Sequence, residues 1–309
     1  MHKVKAFIIL IRLPNLIFIV LTQLLVWFSL IRPLVIKQHL HHLVLNEGLL
    51  LLLALSTMLI AAAGYMINDY FDIGIDAINK PQRVTIEKVF KRRTIIVWHV
   101  VLNILALLMA AYISLYYLQL RYLVLQFISI FLLLVYSTTF KRKLLIGNLT
   151  ISFLTALSLL SVAIYEPGFP LSDVSLYTVR IYWTYILFAF LITFSREVIK
   201  DIEDIKGDDT QYCKTIPLVW GIQTAKNFVY ALIVSLLMIL VVVCVFQKDM
   251  HFTVTGSTCL LLLSLLYVVY KIQQATKTIH FHKISIYLKW ITLVGILSMI
   301  CYSDINTSF

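Results

Sequence analysis

Residues 48–76 read GLLLLLALSTMLIAAAGYMINDYFDIGID, an uncharged apolar run that passes directly into a cluster of carboxylates. The run from 48 to 67 has twenty residues and no charge, which is the length that an α-helix needs to cross the hydrocarbon core of a bilayer. Asp69, Asp72 and Asp76 follow at once. The stretch therefore predicts a membrane helix that carries acidic side chains to the membrane surface.

Apolar runs of similar length recur along the whole chain. Hydrophobic residues make up 61% of the 309 residues, charged residues 13%, and the mean hydropathy is +0.93. Soluble domains carry about 25% charged residues, so a soluble globule is excluded. Because the runs lack the two-residue alternation of a membrane barrel, we predict an all-α integral membrane protein, a bundle of nine helices forming one domain over residues 1–309. The predicted spans are 7–31, 48–67, 94–116, 119–138, 146–165, 179–195, 224–246, 253–270 and 284–302.

Lysine and arginine are distributed unevenly between the loops that join these spans. Of the 26, 18 fall on the side of the N-terminus and 5 on the opposite side. Positively charged loops stay in the cytoplasm, so we predict a multi-pass protein of the cell inner membrane with its long polar loops cytoplasmic. The net charge of +11 does not indicate nucleic-acid binding, because the basic residues cluster beside the spans, where they meet the lipid bilayer.

The acidic residues are concentrated as well. Ten of the 15 lie in two loops on the cytoplasmic side, and each loop contains the spacing D-x-x-D-x-x-x-D. The second triad lies 132 residues after the first and consists of Asp201, Asp204 and Asp208. If the preceding helices continue, offsets of three and seven residues place each triad on one helix face. The repetition indicates a two-fold pseudo-repeat of about four helices with one site between the halves.

Three carboxylates on one face repel one another, and a divalent cation removes that penalty. Oxygen ligands suit Mg²⁺, which usually also binds substrate phosphates. Basic residues are interleaved with the carboxylates or lie in a third loop on the same side, and this combination favours a metal that carries a polyphosphate over a bare cation. These residues are Arg83, Lys141, Arg142, Arg196, Lys200 and Lys206.

The two loops resemble the signatures of the UbiA family of membrane prenyltransferases. The first reads NDYFDIGID at 68–76, followed by Asn79, Pro81 and Arg83, and the second reads REVIKDIEDIKGD at 196–208, followed by KTIP at 214–217. Tyr136 with Lys141 and Arg142 is similar to the family's Y-x-x-x-x-K-R element, and RLPN at 12–15 is similar to its first-helix motif. The stretch VTIEK at 84–88 departs from the R-P and S-G turn that many members have after the first motif.

The resemblance implies Mg²⁺-dependent transfer of a prenyl group from an allylic prenyl diphosphate to a small acceptor. Within the family, 196–208 most resembles the branch that makes prenyl ethers of glycerol phosphate. The implied catalytic residues are Asp72, Asp76, Asp204, Asp208, Lys141 and Arg142. The implied magnesium ligands are Asn68, Asp69, Asp72, Asp76, Asp201, Asp204 and Asp208. The implied substrate-binding residues are Arg12, Asn15, Arg83, Tyr136, Arg196 and Lys200.

Other functions remain open at this point. The acceptor could instead be an aromatic acid or a quinone precursor. A transporter is a rival from a different class, since acidic residues in membrane helices often mark ion pathways. Here, however, the predicted spans contain almost no acidic residue, and the carboxylates are concentrated in loops on one side of the membrane. A membrane alcohol phosphotransferase would need the signature D-G-x-x-A-R, which the chain lacks.

Overall fold

The structure, a computed structural model, describes residues 3–33, 45–82, 84–166, 176–246 and 252–302. In that part of the chain the regular elements are helical. The α-helices are Lys3–Leu10, Leu13–Leu25, Glu47–Phe71, Ile73–Asn79, Arg92–Tyr116, Arg121–Thr138, Ile146–Tyr165, Leu176–Glu203, Ile205–Thr210, Ile216–Val219, Ile222–Phe246, Phe252–Gln274 and Thr278–Ser298. A π-helical segment Val26–Ile31 extends the second helix, and a 3₁₀ turn is formed by Phe140–Arg142.

Nine helical segments within the described ranges are long and apolar enough to cross a membrane, which confirms the predicted number. They are Leu13–Ile31, Glu47–Phe71, Arg92–Tyr116, Arg121–Thr138, Ile146–Tyr165, Val179–Glu203, Ile222–Val245, Phe252–Gln274 and Thr278–Tyr302. Large apolar side chains such as Leu108, Leu115 and Val245 are more than half exposed on these helices. Since only lipid can cover such surfaces favourably, the chain is an integral multi-pass membrane protein.

The first span begins later than predicted. Helix Lys3–Leu10 is separated from Leu13–Leu25 by a break at which Arg12 has a φ of 52°. A positive φ is uncommon for a residue with a side chain and ends the regular helix there. The break therefore divides the predicted run 7–31 and leaves Arg12 just before the span Leu13–Ile31.

The chain divides into two compact units, which we describe separately. Unit 1 consists of Met1–Leu24, Leu45–Thr150 and Lys206–Thr215; unit 2 consists of Leu25–Val44, Ile151–Ile205 and Ile216–Phe309. The second acidic motif is shared between them, because Asp201 and Asp204 belong to unit 2 while Asp208 belongs to unit 1.

In unit 1 the helix Glu47–Phe71 packs against both Arg92–Tyr116 and Arg121–Thr138. Small residues at 61–64 allow these helices to approach closely. A Cβ atom on Gly64 would lie 2.9 Å from the side chain of Leu133. This packing holds the C-terminal end of Glu47–Phe71, where the first acidic motif, Asp69, Asp72 and Asp76, begins.

In unit 2 the helix Leu176–Glu203 packs against Ile222–Phe246 and Thr278–Ser298. A glycine again permits the close contact, since a Cβ atom on Gly295 would lie 2.8 Å from the ring of Phe188. The long helix continues eight residues beyond the predicted end at 195. Arg196, Lys200 and Asp201 therefore lie on its last turns.

Candidate active site

Two long helices end in the same way at the two acidic motifs. Glu47–Phe71 ends before Asp72 and a short helix follows; Leu176–Glu203 ends before Asp204 and a second short helix follows. At both aspartates the N–H still donates to the carbonyl four residues earlier, at 3.0 and 2.8 Å. The expectation that each triad lies on one continuous helix is therefore wrong. The side chain of Asp72 makes no capping bond to the helix that follows it, so its carboxylate is available to partners elsewhere in unit 1.

Asp72 is the best buried carboxylate of the first motif, with 4% of its surface exposed. Its Oδ2 accepts a hydrogen bond from the Asn68 amide at 2.6 Å and another from the ammonium of Lys141. The Oδ1 of Asn68 is buried and has no hydrogen-bond partner among the described residues. This oxygen is a polar atom that a ligand could satisfy.

Lys141 is held by a tight turn that follows helix Arg121–Thr138. Gly147 packs directly beneath it, and a Cβ atom there would lie 3.0 Å from the Lys141 Cα atom. Burial by itself lowers the pKa of Lys141, but the nearby Asp72, Tyr136 and Asp208 outweigh burial and raise this pKa above its ordinary value. Lys141 therefore remains an ammonium. Arg142 is exposed, and its carbonyl accepts the Lys214 N–H at 3.0 Å.

Arg12 and Asn15 lie beside the same motif. An Nη2 atom of Arg12 donates to Oδ1 of Asp69 at 2.7 Å, and its guanidinium stacks 4.8 Å from the ring centre of Tyr65. The amide of Asn15 contacts the Tyr65 hydroxyl at 3.3 Å. Burial lowers the pKa of Arg12, but the neighbouring Asp69, Tyr65 and Asp76 outweigh it, so the net shift is upward. The first-helix motif and the first acidic motif thus form one cluster.

Two further carboxylates of unit 1 differ in environment. Asp76 is partly buried, and burial together with the charges of Asp69 and Asp72 raises its pKa to about 6. Asp208 is 4% exposed and lies close enough to raise the pKa of Lys141. The last carboxylate of the second motif therefore lies within electrostatic range of the lysine that also binds Asp72.

The rest of the second motif forms its own network in unit 2. Glu197 accepts hydrogen bonds from Lys200 at 2.6 Å and from Arg196 at 3.3 Å. Glu203 contacts Nδ1 of His282 at 2.9 Å, which joins the last residue of the long helix to helix Thr278–Ser298. Asp201 and Asp204 are partly buried on the same segment.

Sequence reasoning overlooked three residues of these networks. Glu197 and His282 were not assigned to the site, although Glu197 lies within the second motif. Asn79 was noted only as part of a motif, yet its Oδ1 accepts the Gly207 N–H at 3.0 Å. The spacing of Glu197, four residues before Asp201, was an available signal, whereas nothing in the sequence points to His282. Arg83, predicted to bind substrate, lies outside the described residues.

The donor atoms can be tested against the chemistry of Mg²⁺. No group of three or more His, Cys, Asp or Glu side chains lies at metal-ligand spacing in the described ranges. Mg²⁺ in proteins is usually held by one or two carboxylates together with water and substrate phosphates. The oxygens of Asn68, Asp72 and Asp76 fit that requirement, so the residues present suit a magnesium ion that shares its coordination with a diphosphate.

Comparison with known proteins identifies the family. The model of the UbiA prenyltransferase family matches residues 25–293. The chain belongs to the UbiA prenyltransferase family. This membership confirms the resemblance inferred from the two aspartate motifs.

Curated relatives of this UbiA-family chain include two archaeal proteins named digeranylgeranylglyceryl phosphate synthase. The one from Methanothermobacter thermautotrophicus is 36% identical over 161 residues, which are 52% of each chain. The one from Methanosphaera stadtmanae is 28% identical over 251 residues, 79% of this chain and 84% of the relative. The match to the first relative thus spans about half of its length.

Solved structures share the fold of this UbiA-family chain. One, of a digeranylgeranylglyceryl phosphate synthase in membranes, has a TM-score of 0.67 and 23% identity and covers 98% of this chain and 99% of its own. A UbiA homolog from Archaeoglobus fulgidus bound to DMAPP and Mg²⁺ has a TM-score of 0.62 and 16% identity, covering 96% of this chain and 99% of its own. These likenesses confirm the predicted all-α membrane fold.

Proposed function

We propose that the chain transfers a prenyl group from an allylic prenyl diphosphate to the hydroxyl of a prenylglycerol phosphate, with Mg²⁺ as cofactor. The observation that carries this proposal is the buried cluster of Asp72, Asn68 and Lys141. It combines a carboxylate, an amide oxygen without a partner among the described residues and an ammonium within one hydrogen-bonded group. Such a group can bind a metal and a diphosphate together.

In the proposed reaction, the bond between the allylic carbon and the diphosphate oxygen breaks, and the diphosphate leaves with the electron pair. The acceptor oxygen supplies the electron pair of the new ether bond, and its proton passes to the departing diphosphate. When bound, Mg²⁺ supplies Lewis-acid stabilisation of the leaving diphosphate. Asn68, Asp72 and Asp76 would hold Mg²⁺ in unit 1, and in unit 2 the second motif offers Asp201 and Asp204 as proposed ligands.

The remaining residues stabilise the charges that develop on the leaving diphosphate and on the prenyl carbon. Lys141 stabilises the negative charge that develops as the diphosphate departs, and its partly buried position strengthens that interaction because less water competes. Arg142 is the proposed diphosphate contact of unit 1, and Arg196 and Lys200 are the positively charged candidates of unit 2. The carbon fragment becomes cation-like, and aromatic faces such as those of Tyr65 and Tyr136 would stabilise it.

The acceptor is proposed from both sequence and relatives. The 196–208 motif resembles the glycerol phosphate branch, and the two archaeal relatives carry the name digeranylgeranylglyceryl phosphate synthase. Arg12 and Asn15 both contact Tyr65, Arg12 also binds Asp69, and these two residues are the proposed acceptor contacts. An aromatic acid or a quinone precursor is the alternative acceptor, and no contact among the described residues favours it.

The test uses membranes that contain the full chain, labelled geranylgeranyl diphosphate and a panel of acceptors. We expect label to pass to geranylgeranylglyceryl phosphate only when Mg²⁺ is present. Transfer to an aromatic hydroxy acid or a quinone precursor instead would overturn the proposed acceptor but keep prenyl transfer. Failure with every acceptor, or full activity in excess chelator, would overturn the mechanism itself.

We further propose that residues 1–309 act as a single domain in the cell inner membrane with both acidic loops in the cytoplasm. The uneven distribution of lysine and arginine supports that orientation.

A further inference from the structure

The segment 206–215 leaves unit 2 and packs within unit 1 before the chain returns to unit 2. Three contacts attach it there. The Gly207 N–H donates to Asn79, the Lys214 N–H donates to the carbonyl of Arg142, and the amide of Gln211 lies against Gly74. These contacts connect the segment to the first acidic loop and to the turn that carries Lys141.

The contact between Asn79 and Gly207 is closely fitted. The Oδ1 of Asn79 accepts the Gly207 N–H at 3.0 Å, and the residues are 128 positions apart. A Cβ atom on Gly207 would lie 2.4 Å from Nδ2 of Asn79 and 2.7 Å from its Cγ. Gly207 itself is buried. No side chain could therefore be added at 207 without displacing Asn79.

The residue after Gly207 is Asp208, whose carboxylate interacts electrostatically with the ammonium of Lys141. Asp208 is 4% exposed and lies within electrostatic range of Lys141, and its backbone carbonyl accepts the Cys213 N–H at 3.0 Å. A buried carboxylate interacts strongly with a nearby ammonium, because little water screens the two charges, and the energy changes with their separation. Small displacements of the segment would therefore change the field around Lys141.

We propose that Asn79 is a positioning residue that holds Asp208 beside Lys141 through the backbone N–H of Gly207. The inference rests on the proposed function in one respect, the expectation that this arrangement tightens binding of magnesium diphosphate. The hydrogen bond between Asn79 and Gly207, which we call the tether, can be tested without measuring turnover. Asn79 thereby links the first acidic motif to the last carboxylate of the second.

The first measurement reports the position of the segment through Cys213, which is buried. The other three cysteines, Cys244, Cys259 and Cys301, are changed to serine, so that a charged maleimide can react only with Cys213 and its reaction rate is measured. In the full chain in detergent, Asn79→Ala should speed modification of Cys213 by roughly tenfold or more, because a buried N–H that loses its partner is strongly destabilised. Asn79→Asp keeps an acceptor oxygen and should retain slow modification.

The matched control for this measurement is Asn227→Ala. The side chain of Asn227 also accepts a hydrogen bond, from the amide of Gln223 at 3.1 Å, but this bond lies on an exposed helix face of unit 2. It should leave the modification rate of Cys213 unchanged. If the maleimide modifies Cys213 no faster in Asn79→Ala than in Asn227→Ala, the proposed role of the Asn79–Gly207 hydrogen bond is wrong, whatever the protein's activity.

The second measurement uses Mg²⁺ with inorganic pyrophosphate as the ligand and reads binding by calorimetry. Asn79→Ala and Gly207→Ala should each weaken binding by about tenfold, and the double variant should be no weaker than either alone, since both remove one contact. Gly256→Ala, at a glycine with no atom within 4 Å of an added Cβ, is the control.

The outcomes separate the two proposals. Faster modification of Cys213 with unchanged pyrophosphate binding would overturn the positioning role, because the tether would then be structural only. If the losses in binding free energy of Asn79→Ala and Gly207→Ala were fully additive in the double variant, the two substitutions would not act through one shared contact. If pyrophosphate with Mg²⁺ does not bind to the unmodified chain, the proposed function fails, while the Cys213 result still judges the tether.

Discussion

The ammonium of Lys141 donates a hydrogen bond to Oδ2 of Asp72, although the two residues are 69 positions apart. The pair is largely buried, with 26% of the lysine side chain and 6% of the aspartate side chain exposed. A buried pair is costly to break, because removing one partner leaves the other charge uncompensated. Asp72 thus fixes the Lys141 ammonium beside the first acidic motif.

We predict that Asp72→Asn lowers turnover by roughly 10² or more, since one lost electrostatic contact at a developing charge costs about 10²–10³ in rate. Repulsion within the triad alone would make this variant more stable. The pairing with Lys141 reverses that expectation, so its melting temperature in chelator should fall. Asp209→Asn, an exposed neighbour in the second loop, is the control for both rate and melting. Near-normal turnover in Asp72→Asn would remove this carboxylate from the mechanism.

For the second motif, Asp204→Asn should also reduce turnover by roughly 10². Asp204 occupies the same kind of helix break as Asp72, but it lies in unit 2 and its loss should shift the Mg²⁺ concentration for half-maximal activity upward. Activity titrations with Mg²⁺ measure this. An unchanged rate and an unchanged Mg²⁺ requirement would count against the second motif as a magnesium site.

Lys141→Met should lower turnover by roughly 10²–10³, because the ammonium is lost where negative charge develops. Lys143→Met is the matched control, since Lys143 is two residues away, exposed, and stacks on Phe140 at 5.6 Å. In the double variant Asp72→Asn with Lys141→Met, the losses should be less than additive, because the residues share one contact. Strict additivity, or an equal loss in Lys143→Met, would contradict the role of Lys141.

The dependence on pH should follow Asp76, whose pKa burial and the charges of Asp69 and Asp72 raise to about 6. The proton must leave before this carboxylate can bind a cation. The Mg²⁺ concentration for half-maximal binding of pyrophosphate should therefore rise as pH falls below about 6, by up to about tenfold per pH unit. Asp76→Asn should leave only the weaker dependence that comes from protonation of pyrophosphate itself. Identical profiles in the unmodified chain and in Asp76→Asn would show that Asp76 does not exchange its proton for the metal.

Arg12→Gln should raise the acceptor concentration needed for half-maximal rate by roughly tenfold, because a charged hydrogen bond at the proposed acceptor contact is lost. Arg12→Lys keeps the charge but loses the planar stacking on Tyr65, and an intermediate effect is expected. Arg121→Gln is a matched control, since Arg121 also stacks on a tyrosine ring, at 5.2 Å. A change only in the requirement for prenyl diphosphate would reassign Arg12 to the donor substrate.

Much of the fold could be predicted because hydrophobicity is a local property. Each span was recognisable from twenty or so consecutive residues, and the two motifs from spacings of three and four. The helix breaks at Asp72 and Asp204 could not be predicted in this way, because helical periodicity favoured continuation. Similarly, the pattern identified Arg12, Asp69 and Lys141 as charged residues of the site but did not indicate how they pair.

The amino-acid sequence by itself determined that the chain crosses the membrane in nine helices and carries two equivalent carboxylate motifs, because both properties depend on residues close together in the chain. The tertiary structure alone decided that Lys141 binds Asp72, that Arg12 binds Asp69 and that Asn79 receives the N–H of Gly207. Electrostatic and hydrogen-bond energies depend on distances in space of a few ångströms, and only helix packing brings residues separated by 57 to 128 positions within that range.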